Sequence, residues 1–100
     1  MKTFRLWPSL LAVLLSTSSL ARDLDQDEAL ALRQAGTILP LEAVVERALV
    51  LYPGATLLEV ELEEEDDRLV YEVELLTRDA MVRELEFDAR DARLYKDEVD

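Results

Sequence analysis

The chain has 100 residues, 23 acidic against 11 basic, a formal net charge of −12, and neither cysteine nor histidine. That charge excludes the basic surfaces by which nucleic-acid binders and proteins adsorbed to anionic lipid work. The two missing residue types exclude disulfides, the familiar zinc sites and the common nucleophile–base pairs.

The first element is a leader. "MKTFRLWPSLLAVLLSTSSLA" has basic Lys2 and Arg5, an apolar run from Leu6 to Leu15, and small residues up to Ala21. This order predicts a secretory signal peptide, residues 1–21, cleaved after Ala21. The run is too short for a spanning helix of roughly 20 residues. One domain, residues 22–100, is then expected in the periplasm or outside the cell, with no membrane insertion after cleavage. All 23 acidic residues stay in it while Lys2 and Arg5 depart, which takes the formal charge from −12 to −14.

In the mature segment, Asp25 followed by Glu28 fits a capping box, and Gly36 fits a helix C-cap. A short helix Gln26–Ala35 is predicted. Pro40 suits a first helical position, and Leu41, Val44, Val45, Ala48, Leu49 and Tyr52 follow at helical spacing. Pro53-Gly54 ends this second helix, Pro40–Tyr52. Alternation then predicts strands at Leu58–Glu63, Leu69–Leu76 and Met81–Asp88, with a short last run Leu94–Tyr95. Their apolar sets are Leu58, Val60 and Leu62, then Leu69, Tyr71, Val73 and Leu75, then Leu85 and Phe87. "EEEDDR" and "TRDA" serve as loops. The fold class is α+β: a helix on one face of a three-stranded, possibly four-stranded, antiparallel sheet, with a short N-terminal helix.

In-phase pairing sets Val60 opposite Val73, Leu62 opposite Tyr71, Val73 opposite Leu85 and Tyr71 opposite Phe87. The other face then carries one row of Glu59, Glu74 and Glu84 and a second of Glu61, Glu72 and Glu86. Like charges placed opposite one another destabilise a sheet by a few tenths to about 1 kcal/mol per pair, and water and salt screen much of that. These six glutamates are the candidate partner-binding residues; a solvated face that merely keeps the domain soluble is the plainer reading. Arg93 and Tyr95 are expected to fold back beside Asp88 and Glu86. Val50, Val70 and a Leu57–Leu76–Val82 row form either a small apolar patch or ground covered by the first helix.

No catalytic residue, cofactor or metal is assigned. The mature segment has only Gly36 and Gly54, so no phosphate loop, and its carboxylates sit on a solvated face instead of as a buried and an exposed pair. "DLDQDEALALRQ" fails as a calcium loop because Glu28 stands where glycine and Gln34 where a bidentate glutamate is required. Weak calcium binding at Glu63–Asp67 competes with an ordinary hairpin tip.

The pieces "LEAVVERAL", "YPGATLLEVELE", "RLVYEVELL" and "VRELEFDARDARL", from Pro40 to Leu94, resemble the PepSY domain in order and spacing. The resemblance implies a helix on a sheet of about three antiparallel strands and a non-enzymatic role, regulating or inhibiting peptidases or modulating other envelope proteins. This chain departs from the family pattern at Ala80, where a glycine is usual, and in the closing turn Asp88–Arg93, where Ala92 takes a left-handed conformation poorly. The partner so implied is an envelope protein with a basic surface, a peptidase or a sensor ectodomain. The alternatives are a binder of calcium or polyamines, and an inhibitor that acts through strand addition at a sheet edge.

Overall fold

The computed structural model describes residues 21–100. The expected signal peptide, Ala21 apart, lies outside the described residues. Seven elements follow in chain order: β1 (Arg22–Asp23), α1 (Gln26–Gln34), α2 (Leu41–Leu51), β2 (Thr56–Glu65), β3 (Arg68–Leu76), β4 (Val82–Asp88) and β5 (Leu94–Val99).

Helix α1 has the predicted capping box. The Glu28 N–H donates to Asp25 Oδ1 at 2.9 Å, and the Asp25 N–H donates to Glu28 Oε1 at 3.2 Å. At its other end Gly36, φ +74°, leads a Schellman closure in which the N–H of Gly36 reaches Arg33 O and that of Thr37 reaches Leu32 O. In α2 Pro40 stands one position earlier than predicted, as the N-cap, and Tyr52 is the C-cap. Val44 and Ala48 are fully buried on the sheet.

The sheet has five antiparallel strands in the order β1-β2-β3-β4-β5, not three or four. The β1 edge is not visible in the sequence, and of β5 only the run Leu94–Tyr95 is, for different reasons. β1 is only Arg22–Asp23, too short to show a period. β5 reaches Val99, and its core-side position opposite Leu85 is Asp97, which breaks the apolar alternation. Asp97 is satisfied there by Tyr52 Oη, which donates at 2.5 Å, and by Arg83 Nε at 2.8 Å. β2 also outruns its prediction, since Glu64 and Glu65 pair with Leu69 and Arg68. Asp66 and Asp67, φ 50° and 66°, make a two-residue turn in the twist that suits hairpins. Charge at the hairpin tip had suggested a longer loop.

The predicted register holds: Val60 faces Val73, Leu62 faces Tyr71, Val73 faces Leu85 and Tyr71 faces Phe87. Tyr71, Val73, Leu75, Leu85 and Phe87 form the buried floor beneath α2, joined by Ala29 and Ile38. Tyr71 keeps its hydroxyl satisfied, donating to Leu39 O at 2.7 Å and accepting from Arg33 Nε at 3.1 Å.

Three expectations fail locally. The register shifts between Leu57 and Glu59, so Leu58 is an extra residue with 47% of its surface exposed and is not a core position. The same bulge aligns Leu57 with Leu75, on the helix side of the sheet, and leaves Leu76 opposite Val82 on the far side. The supposed apolar row is therefore split between two faces. Val70, expected to be partly exposed, is 0% exposed although its phase puts it on the glutamate side.

Candidate functional site

The face turned away from α2 is set by β2, β3 and β4. Glu59 pairs with Glu74 and Glu74 with Glu84; Glu61 pairs with Glu72 and Glu72 with Glu86. All six sequence-predicted residues thus stand on one surface. A recess of about 20 Å³, room for one water, opens between Glu59, Glu61, Glu72, Glu74 and Glu84.

The fifth strand adds residues that the reading missed. Glu98 extends the first row beyond Glu84, and Lys96 ends the second beyond Glu86. Lys96 Nζ lies 3.2 Å from Glu84, 3.6 Å from Glu86 and 3.9 Å from Glu98. "KDE" carries the signal, since lysine two residues before a glutamate puts both on one face of a strand, but Asp97 hid that strand.

One ammonium does not neutralise the array, and four of its carboxyl groups are raised while Glu84 is lowered. Burial, then a hydrogen bond with Glu84 and the charges of Glu63, Glu84 and Glu86, push Glu72 up to about 8. Glu84 moves down, first through that same hydrogen bond and then through Lys96. Glu61 is raised by burial, a hydrogen bond with Glu59 and nearby carboxylates. Glu74 is raised by a hydrogen bond with Asp100, and Glu86 chiefly by burial.

Next to the rows, Glu63 of β2 is pushed up to about 7 by burial and then by Asp23, Glu61 and Glu65. Oxygens of Asp23, Glu61 and Glu63 lie within 4.8 Å of one another, a spacing that hard cations accept. The carboxylates close enough to share an ion therefore join β1 to its neighbour β2. They are not the Glu63–Asp67 tip considered from the sequence, whose Glu63 alone takes part.

Asp88 is the one deeply buried charge on this side, 1% exposed. Tyr95 does fold back on it, its hydroxyl donating at 2.5 Å. Arg93 folds back only through its backbone, its carbonyl accepting from the Asp88 N–H at 2.8 Å and its N–H donating to Asp91 Oδ1. The Arg90 guanidinium supplies the ion pair, with Nη2 at 3.3 Å. Burial pushes the Asp88 carboxyl up, but hydrogen bonds from Arg90 and Tyr95 outweigh it and hold the group down at about 2. Arg68 lies over the Tyr95 ring, 4.5 Å from its centroid, and closes this end.

No helix among the described residues is long and apolar enough to cross a membrane. Comparison with curated proteins and with solved structures gives no match. A family model does match residues 38–98: PepSY, described as the peptidase propeptide and YPEB domain. That span takes in α2, β2, β3, β4 and nearly all of β5, with both glutamate rows and Lys96. By that match, over more than half of its length, the chain belongs to the PepSY family.

Proposed function

We propose that this is a non-enzymatic regulatory domain of the bacterial envelope that docks a basic protein surface through its acidic sheet face. The observation that carries the reading is the pair of cross-strand glutamate rows, answered among the described residues by Lys96 alone. Stacked like charges oppose folding, and Glu72, pushed up to about 8, keeps a proton near neutral pH that relieves part of the repulsion. Lysines or arginines of a partner would supply the missing counter-charge, speeding encounter and making binding salt-dependent. The family description, a peptidase propeptide domain, favours a peptidase as the partner and a periplasmic or secreted setting. A sensor ectodomain remains the second candidate partner.

The test is capture from periplasmic extract, eluted with a salt gradient, using the wild type and a Glu72→Lys/Glu74→Lys variant. The reading expects partners that leave early in the gradient and are lost on charge reversal. A partner held equally by both proteins would overturn it.

A second reading, cation binding, is favoured by the cluster of Asp23, Glu61 and Glu63. Calorimetry with calcium and with spermidine separates the two. Saturable heat at modest concentration, abolished by Glu63→Gln, supports the cation reading.

A further inference from the structure

The edge of the sheet at β2 is only partly covered. β1 pairs with Glu63 and Glu64, and one more bond runs from the Leu24 N–H to Leu62 O at 3.1 Å. From there the chain turns into α1. On the side away from β3, Thr56 to Glu61 have no strand beside them among the described residues. The period-two alternation that turns the Leu62 carbonyl toward Leu24 turns the N–H and C=O of Val60 the same way, outward from the sheet edge.

Apolar ground borders that edge on the helix side. One cleft of about 580 Å³ has Leu24, Leu30, Leu41 and Val60 in its walls. A second, about 670 Å³, shares Leu41 and continues along Val45, Leu49 and Leu57. On the other face of the same edge stand Glu59 and Glu61, and Asp25 and Asp27 hang over the first cleft. Arg33 lines that cleft too, but it is engaged with the Tyr71 hydroxyl. Both edges carry a register shift, β2 at Leu58 and β5 at Tyr95. On β5, however, Lys96 and Asp97 are also bound inward, so β2 from Glu59 to Glu61 is the more open of the two.

We propose that the open edge of β2, centred on Val60, accepts an extended peptide strand whose residues alternate between apolar and basic. All existing pairs in the sheet are antiparallel, and the guest would continue that pattern. Its apolar side chains face the Leu41–Leu57 cleft, and its lysines or arginines lie beside Glu59 and Glu61. A second copy of this chain is a poor occupant. Antiparallel β2–β2 pairing would set Glu59 and Glu61 of one copy against those of the other, which destabilises a sheet. The proposal does not depend on docking through the broad acidic face.

The probe is a synthetic peptide of about seven residues alternating valine and lysine, the length of an ordinary strand. It is titrated into the protein by calorimetry, with amide exchange followed at Val60. Binding is expected to protect the Val60 amide. N-methylation of the peptide amides that face β2 should weaken it about tenfold, the worth of roughly one backbone hydrogen bond. Methylation of the alternate, outward amides should leave it unchanged. Val60→Pro, tolerable at an edge, should weaken binding to a similar degree. Glu84→Lys, on the central strands, should leave the methylation pattern intact even where it abolishes capture of a whole-protein partner. Equal loss from both methylated peptides overturns the proposal, as does protection confined to β5. Protection of Val60 that grows with protein concentration and needs no peptide makes a second copy the occupant and overturns it as well.

Discussion

Glu72 and Glu84, diagonal neighbours on β3 and β4, share a hydrogen bond between their carboxyl groups. One is pushed up to about 8 and the other moves down, so near neutral pH the pair holds a single proton, on Glu72. That proton is the point at which the acidic face responds to pH.

Folding raises Glu72 from about 4.5 to about 8 and Glu63 to about 7. Between those limits the folded state binds more protons than the unfolded chain, so stability falls as pH rises through the window. Glu72→Gln mimics the protonated form. It should raise the stability at pH 9 by on the order of 1 kcal/mol after allowance for solvent screening, and leave it nearly unchanged at pH 5. Thermal melts at the two pH values check this, and equal shifts at both would refute it.

Asp88 works in the opposite direction. Its folded value near 2 lies below the ordinary 3.8, so its contribution is fully present above about pH 4 and is lost as pH falls through 2. The shift corresponds to about 2 kcal/mol for this buried group. Asp88→Asn should lower stability at pH 7 by at least that much, and Tyr95→Phe by about 1 kcal/mol through the lost hydroxyl bond. Urea titrations at pH 7 and pH 2.5 measure both, and the two variants should approach the wild type at the lower pH.

Ala80 and Ala92 hold φ of 64° and 63°, where an L side chain is strained. Glycine removes the strain, partly offset by its greater freedom in the unfolded chain. Ala80→Gly and Ala92→Gly should each stabilise by about 0.5 to 1 kcal/mol, several degrees in Tm for a domain of this size. Gly54→Ala is the converse: φ is 83°, and a Cβ would stand 2.3 Å from Arg78 Nε, so a lower Tm is expected.

Any basic partner that pairs with Glu72 at pH 7.5 must displace the proton that this group largely retains when free. Binding heat should therefore differ between phosphate and Tris, buffers of unlike ionisation enthalpy, and the dependence should shrink in Glu72→Gln. Identical heats in both buffers would place the contact elsewhere.

Much of the domain was legible because its pattern is clean. Period two on β2, β3 and β4 set which residues face α2, and that phase put six glutamates on one surface. What stayed hidden broke the pattern for local reasons. Asp97 occupies a core-side position because Tyr52 and Arg83 satisfy it, so β5 read as two residues instead of six. Leu58 counted as core because a bulge leaves no mark in a run of apolar residues. "DARDAR" departs from the family's closing turn, and two arginines at equal spacing do not show in sequence that Arg90, not Arg93, pairs with Asp88.

Each strand lies beside its predecessor or successor in the sheet, with α1 and α2 inserted between β1 and β2. Four of the five strands thus form by closing short loops between consecutive segments, without threading or a distant crossover. Such local topology favours assembly in milliseconds or less. The bond from Tyr52 to Asp97 joins residues 45 apart and, with that from the Leu39 N–H to Ala89 O, ties the two ends of α2 to the far side of the sheet. A chain shortened before Asp97 should therefore reach a native-like meander at nearly the normal rate and lose its hold on the end of the helix.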